Sequence, residues 1–152
     1  MAEQVSLYHR RRHGVDAVAL RLPLVLGPGL WYEGAGKALA LLFRIPALDF
    51  LTFHDEEMDL IHVADAARAL VTLLHGPASL APIYNLEGFR CRASDMLRAI
   101  AARRPGPIVR RDPVTPALVF PLVSGARLRT DTGFAPAYDL EGFVDAMLEG
   151  KG

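Results

Sequence analysis

The segment from Val15 to Pro28, with the sequence VDAVALRLPLVLGP, constrains the fold of this chain more than any other segment. Its first part, Asp16 to Leu22, is a short and nearly continuous apolar run, which predicts a buried β-strand. Proline and glycine then end the run, at Pro23, Gly27, Pro28 and Gly29. A strand this apolar is typical of a parallel sheet covered on both faces, where ligands bind beyond the carboxyl ends of the strands. The residues after Leu22 are therefore the first place to look for a binding site.

The rest of the chain alternates between helical and extended patterns, which predicts the α/β class. A helix over Ala2 to His13 leads into the first strand through Gly14. Further helices are predicted over Ala35–Phe43, Asp65–Leu74, Arg92–Arg103 (beginning near Ser94) and Leu140–Leu148, and extended segments over Leu60–Val63, Ile83–Leu86 and Pro107–Arg110. No element is assigned to the proline-punctuated residues 113–121.

Four segments, taken in order, resemble the extended short-chain dehydrogenase/reductase superfamily of NAD(P)-dependent epimerases, dehydratases and reductases. Residues 2–29 are similar to that family's helix and strand ending in Arg-x-x-x-Val-x-Gly-Pro, just after its catalytic Tyr-x-x-x-Lys. DLIHVADAARA, from Asp59 to Ala69, resembles the family's Asp-aromatic-Ile-His-Val-x-Asp segment. IYNLE, from Ile83 to Glu87, resembles its Val-Tyr-Asn strand, and RLRTDTGFAPAYDLEGFVDAM its closing turn and last helix. The resemblance covers essentially the whole chain.

This resemblance implies the C-terminal part of a Rossmann-like, NAD(P)-binding α/β fold. Residues 1–30 would form its last helix and strand unit, and residues 31–152 the small mixed α/β subdomain that binds substrate. Leu22 and Pro23 match the place where the family's backbone approaches the nicotinamide, so the resemblance assigns them to cofactor binding. The complete enzyme would use NAD or NADP.

Two parts of the family's machinery are missing from the sequence. No Gly-rich turn lies between a first strand and a first helix, where backbone N–H groups would meet the pyrophosphate. No Tyr and Lys stand four apart on a helix, since Tyr32 and Lys37, the nearest pair, are five apart in a Gly-rich stretch. We therefore assign no catalytic residue and expect no tightly bound cofactor on this chain alone. The resemblance places the missing Lys just before Met1, as if Met1 were an internal methionine.

Departures from the family pattern suggest the substrate. Nucleotide-sugar epimerases typically have Asn at the position of Leu24, and at that of Met58 an Arg that grips the pyrophosphate. Apolar side chains replace both anchors, which removes a charge-assisted phosphate contact. The resemblance thus implies a hydrophobic hydroxy or keto compound, bound in an apolar pocket lined by Leu24, Leu26, Leu30, Trp31 and Met58. The alternative is that these residues form ordinary core, because apolar side chains line cores and pockets alike.

The amino-acid composition limits the classes of partner that we expect for this chain. The 152 residues carry 17 basic and 17 acidic side chains, so no net field attracts nucleic acid or an anionic membrane. Hydrophobic residues make up 51% of the sequence, and its mean hydropathy is +0.21. This apolar composition predicts that part of the surface contacts a partner, either a missing N-terminal half or a second copy of the chain. Cys91 is the single cysteine, and no leader or long apolar run is present, which favours a cytoplasmic protein.

Several polar residues have a structural or surface interpretation. His54 to His62 is rich in carboxylates, but alternate side chains of a strand diverge, so we expect no metal site there. We expect His62 to be a packed strand residue and Asp65 to stabilise a helix start. The basic cluster of Arg10 to Arg12 with His9 and His13 is interpreted as a solvated helix face.

Two functions from different classes remain open. The chain is either the substrate-binding half of an NAD(P)-dependent oxidoreductase or epimerase, inactive alone, or a non-catalytic, degenerate relative that binds a small apolar ligand or a partner chain. An upstream in-frame sequence with the Gly-rich turn and the Tyr-x-x-x-Lys motif would establish the first.

Overall fold

A computed structural model describes residues 2–28, 40, 42–43, 55–77, 79–103 and 122–150. The chain is mixed α/β, as predicted. The helices are α1 (Ala2–His13), α2 (Val63–Leu74), α3 (Ala93–Arg103), α4 (Ala126–Thr132) and α5 (Leu140–Glu149), and the strands are β1 (Ala19–Arg21), β2 (Leu24–Leu26), β3 (Glu57–His62), β4 (Ile83–Asn85) and β5 (Phe89–Arg92). None of these described helices is long and apolar enough to cross a membrane.

The strands form two sheets, and the chain passes from one to the other at Leu22 and Pro23. β1 pairs in parallel with β4, with Leu20 opposite Tyr84. β3 is the central strand of the other sheet, parallel to β2 and antiparallel to β5. Proline has no N–H to donate but fits extended backbone, so the ladder breaks at Pro23 and pairing resumes one residue later.

The predicted strand over Asp16–Leu22 is therefore wrong in its bounds. Its ladder is limited to Ala19–Arg21, and a second strand, Leu24–Leu26, begins where the sequence predicts a turn. β1 pairs with β4 in parallel, which confirms the predicted parallel sheet.

Other differences are smaller. The chain from Phe89 to Arg92 is strand β5, so the helix predicted from Arg92 begins at Ala93. Helix α4 was not predicted, because its seven residues ARLRTDT are mostly polar and bury one side chain, Leu128. Ala40, Leu42 and Phe43 are helical, within the predicted helix Ala35–Phe43, and the segment Pro107–Arg110 lies outside the described residues.

Both faces of β3 are buried, and two hydrophobic clusters lie against them. The first cluster joins the β2–β3–β5 sheet to α3 and α5, and its largest members include Leu26, Met58, Leu60, Met96, Ile100 and Phe143. The second joins β3 and β4 to α2 and α4, and includes Ile61, Ala69, Tyr84, Leu86, Leu128 and Phe134. Neighbouring residues of β3 point to opposite faces, so Leu60 belongs to one cluster and Ile61 to the other.

Helix α2 leaves an apolar surface open. Leu70, Val71 and Leu74 on its outer side are 53%, 55% and 79% exposed. A groove of about 470 Å³ beside them is lined by Val18 and Leu20 near β1 and by Leu70, Leu73 and Leu74 of α2. We call the groove, together with the exposed leucines and valine of α2 beside it, the α2 groove. Contiguous exposed apolar surface of this kind is typical of interaction sites.

We expect the chain to self-associate or bind an apolar dye through the α2 groove. Replacing Leu70 and Leu74 together by Glu should reduce both effects at little cost to folding, because both side chains are more than half exposed. Light scattering and dye fluorescence measure them. Leu122→Glu, at a 40% exposed leucine outside the groove, is the matched control. A strictly monomeric wild-type chain that binds no dye would contradict the prediction.

Candidate substrate and cofactor site

The carboxyl ends of the two parallel strands β1 and β4 meet at one edge. The N–H of Leu86, just after β4, donates to the carbonyl of Arg21, the last residue of β1, at 2.8 Å. Leu22 follows with 52% of its surface exposed, and Pro23 is half-buried. This is the edge of a parallel sheet at which ligands bind. The assignment of Leu22 and Pro23 to cofactor binding stays a prediction.

A small polar cleft opens at the same edge, and the sequence did not indicate it. Its volume is about 250 Å³, and its lining includes Arg21, Asn85, Ser124 and Arg127. Arg21 is held by an ion pair with Glu3 of α1, at 2.7 Å. The buried Oδ1 of Asn85 has no hydrogen-bond partner among the described residues. No local pattern predicts this cleft, since Ser124 and Arg127 reach it from about forty positions further along the chain than β4.

The structure brings together three of the five predicted pocket residues. Leu26 is fully buried, Met58 is 6% exposed, and half-buried Leu24 packs against the same first cluster. Leu24 pairs with Leu60 across the β2–β3 ladder, two positions beyond Met58. Leu30 and Trp31 lie outside the described residues. Because Leu26 and Met58 are packed among core side chains, Leu24 is the most accessible of the three.

Asp59 lies on the opposite face of β3 from Met58. It is 3% exposed, and its Oδ1 accepts the N–H of Gly88 at 2.9 Å, while Oδ2 has no partner among the described residues. Burial raises the pKa of this carboxyl, and the hydrogen bond from Gly88 offsets the shift only in part. Gly88 is required at this contact because a Cβ there would lie 1.8 Å from the carbonyl oxygen of Leu60. Within the described ranges no three potential metal ligands converge, and His54 lies outside those ranges.

His62 is a packed strand residue, as expected: it ends β3 and also caps α2. Its side chain is 1% exposed, and Nδ1 accepts the N–H of Ala64 at 3.2 Å, which caps the helix. The ring stacks on Tyr138 at 4.0 Å and meets Phe143 edge-on. Burial lowers the pKa of this imidazole, and nearby Asp65 opposes the shift. His62 is therefore neutral at pH 7, with the proton on Nε2, since Nδ1 acts as an acceptor.

Asp65 stabilises the structure, but through a distant segment. It lies in the first turn of α2, as predicted, where His62 supplies the cap. Its buried Oδ2 accepts the N–H groups of Ala137 and Tyr138 at 2.9 and 3.0 Å. Arg68 pairs with Oδ1 from the next turn and also donates to the carbonyl of Ala135. The carboxylate thus fixes the turn that precedes α5.

The described residues do not form a cradle for a pyrophosphate. Such a cradle needs glycines between a strand and the N-terminus of the following helix. Two strand-to-helix junctions lie wholly within the described residues: His62 to Val63, between β3 and α2, and Arg92 to Ala93, between β5 and α3. Neither contains a glycine. The passage from β2 to the helical residues 40, 42 and 43 does contain glycines and runs mostly outside the described residues. The two described junctions therefore offer no phosphate cradle, and the contact of Leu22 and Pro23 with a cofactor stays a prediction.

The structure has parallel strands flanked by helices, an open sheet edge with a ligand-accessible end, and a small mixed sheet. These features define a Rossmann-like α/β chain. The family model of the NAD dependent epimerase/dehydratase family matches residues 1–86, more than half of the 152 residues. The chain belongs to that family, which confirms the resemblance. No curated protein sequence matches the chain.

Solved structures confirm the fold. An L-threonine dehydrogenase from Cupriavidus necator, in its holo form, has a TM-score of 0.84 at 24% identity, and the match covers 97% of this chain and 52% of that one. For RMD from Pseudomonas aeruginosa complexed with NADPH the TM-score is 0.78 at 22% identity, covering 98% and 52%. An L-threonine 3-dehydrogenase from Trypanosoma brucei gives 0.75 at 21%, covering 97% and 50%. The chain therefore spans about half the length of these structures.

Acidification is expected to destabilise the chain through His62. Its pKa in the folded state lies below the ordinary value of 6.5, so the unfolded state takes up the proton first as the pH falls. The contribution to stability is complete above pH 6.5 and is lost as the pH falls from there through the folded pKa. Urea unfolding between about pH 7.5 and about pH 5 measures this slope.

His62→Asn keeps a side-chain acceptor for the cap, and we expect it to flatten the pH dependence even if it lowers stability overall. His75→Asn, at an exposed histidine just after α2, should leave the slope unchanged. An equal slope in wild type and His62→Asn would show that His62 does not carry the effect.

Proposed function

We propose that this chain is the substrate-binding half of an NAD(P)-dependent oxidoreductase or epimerase, inactive without a nucleotide-binding half. The observation that carries the proposal is family membership combined with a sequence that lacks the Gly-rich strand–turn–helix motif, and with two described strand-to-helix junctions that contain no glycine. A family member of this kind would obtain its phosphate cradle from another segment or chain. The match to about half of each solved structure supports the same conclusion.

The nucleotide-binding half would cover the α2 groove and the open edge of the β1–β4 pair. A parallel sheet normally has further strands beside such a pair and helices on both faces. Within the described residues, this sheet contains β1 and β4. The exposed Leu70, Val71 and Leu74 supply the apolar area for such a contact. When the nucleotide-binding half is absent, the chain would self-associate through this surface.

The proposed substrate is a hydrophobic hydroxy or keto compound rather than a nucleotide sugar. Leu24 and Met58, which replace the polar anchors of the nucleotide-sugar enzymes, contact one apolar cluster, and Leu24 remains half-buried. Leu26, Leu30 and Trp31 complete the proposed surface, with the backbone of Leu22 and Pro23 on the nicotinamide side. An apolar compound would be held there by burial, with no charge left unpaired.

The isolated chain is expected neither to bind NAD(P)H tightly nor to turn over any ketone or sugar. Titration calorimetry measures the first, and cofactor absorbance the second. When the upstream coding sequence is restored, or a nucleotide-binding half is supplied as a second chain, both should appear. Low-micromolar affinity for NADPH by the chain alone would contradict the proposal. A restored chain that binds the apolar ligand but has no turnover would favour the non-catalytic function instead.

In the restored enzyme, Leu24→Asn with Met58→Arg should weaken the apolar substrate and improve a nucleoside diphosphate, each by about tenfold or more, or about 1.4 kcal/mol. A buried Arg facing an apolar ligand has no partner, whereas a phosphate supplies one. Dissociation constants for both ligands measure this.

Because Met58 is buried, the folding of the double variant is checked by thermal unfolding, and Leu24→Asn alone serves as the test if it fails to fold. Val25→Asn, at a half-buried residue of the same strand that packs against the second cluster, is the matched control. If the double variant folds and holds the apolar compound as well as wild type, Leu24 and Met58 do not line the site.

A further inference from the structure

Helix α1 presents two histidines one turn apart on its exposed surface. His9 and His13 are both exposed, and their ring centroids lie 5.3 Å apart with the ring planes at 31°. Tyr8 meets the two rings edge-on, at 5.5 and 6.0 Å, so the three side chains form one group. Among the described residues neither imidazole has a hydrogen bond or an ion pair. Both rings are therefore available to a ligand.

The spacing of the rings is that of a chelate. A zinc ion lies about 2.1 Å from an imidazole nitrogen, which puts it about 3.2 Å from the ring centroid. Two such centroids, seen from the ion at the tetrahedral angle of about 109°, are about 5.2 Å apart. The 5.3 Å between the ring centroids of His9 and His13 is close to this separation. The i, i+4 spacing of a helix produces it, because such residues lie above one another on one face.

We propose that His9 and His13 form a site for a divalent ion that prefers imidazole, of the zinc class. Copper(II) and nickel(II) share this preference. No third ligand from the described residues completes the site, so water or a group of another molecule would fill the other positions. This inference is independent of the proposed function and concerns a different surface.

The charges around the pair set its strength. Arg10 turns away, donating to the carbonyls of Ala17 and Leu80 at 2.9 and 2.8 Å and lying 3.7 Å from the Asp16 carboxylate. Arg11 and Arg12 are exposed on the same helix. Their positive charge lowers the affinity for a dication, and this repulsion is weakened by salt. The site therefore binds less tightly than a structural zinc centre with four protein ligands.

Metal binding at this pair would be coupled to the order of α1. The helix has 12 residues and none is buried, so packing contributes little to its stability. An ion that bridges two successive turns is bound only while those turns are helical. Binding of the ion therefore stabilises the helical state of α1, and an occupied site should slow the opening of the backbone hydrogen bonds of the helix.

The test uses the full chain without an affinity tag, stripped of metal, and titrates it with zinc chloride in a calorimeter. We expect binding that His9→Gln and His13→Gln each weaken by at least tenfold. His75→Gln, at an exposed histidine without a histidine neighbour one turn away, should bind like wild type. Hydrogen exchange with and without zinc adds a second readout: protection should rise in α1 and stay unchanged in α5.

Three outcomes would overturn the proposal. These are a wild-type chain that binds no zinc, a His75→Gln variant that weakens binding as much as His9→Gln, and an α1 that exchanges equally fast with and without the ion. Because His9 and His13 are exposed, their variants should unfold at the wild-type temperature, and that measurement separates loss of the site from loss of the fold.

Discussion

The buried carboxylate of Asp65 holds two distant segments of the chain together. It links the first turn of α2 to the N–H groups of Ala137 and Tyr138, and so fixes where α5 begins. Helix α5 in turn places Phe143 and Val144 against Leu26 and Met58 in the first cluster. A buried charge left without its partners costs about 3–5 kcal/mol, so this one contact constrains the turn strongly. Asp65 sets the position of α5, and the first hydrophobic cluster packs against α5 in that position.

Strand β3 joins the two halves of the described structure. Its alternate side chains face different clusters, with Met58 and Leu60 toward α3 and α5 and Ile61 toward α2. A substitution at Met58 that reshapes the proposed pocket would therefore also alter the core that supports it. In the proposed site, binding surface and core would be one layer of side chains, which is why packing alone does not separate the two interpretations of Leu26 and Met58. Ligand affinity does.

Much of the fold was predictable from the sequence because local patterns determine it. The period of Ala66, Ala69 and Leu73 indicates α2, and the valine and leucine run indicates β1. β2 was missed because Pro23 looks like a stop, although it only moves the chain to another sheet. β5 was missed because its outward positions are Arg90 and Arg92, which do not suggest a strand.

The candidate site was less accessible to sequence reasoning. That Leu24 and Met58 share one environment came from the family resemblance and not from spacing, since 34 positions separate them. The partners of Asp65 are 72 and 73 positions away, a distance at which no local pattern carries information. The cleft at Arg21 and Asn85 has the same origin in tertiary contacts. Leu30 and Trp31 lie outside the described residues and stay predictions.

The two-residue passage between sheets limits how the molecule can move. Two extended residues span at most about 7 Å, so the β1–β4 pair and the β2–β3–β5 sheet cannot slide far past one another without breaking a ladder. The chain also crosses from β4 to β5 within three residues, Leu86 to Gly88, and the second cluster packs Ile61 of β3 in one core with Tyr84. The two sheets are therefore tied at two short crossings and by shared side chains, and Pro23 fixes one of the four backbone torsions of the first crossing. A strain applied to one sheet would be transmitted to the other and not absorbed between them.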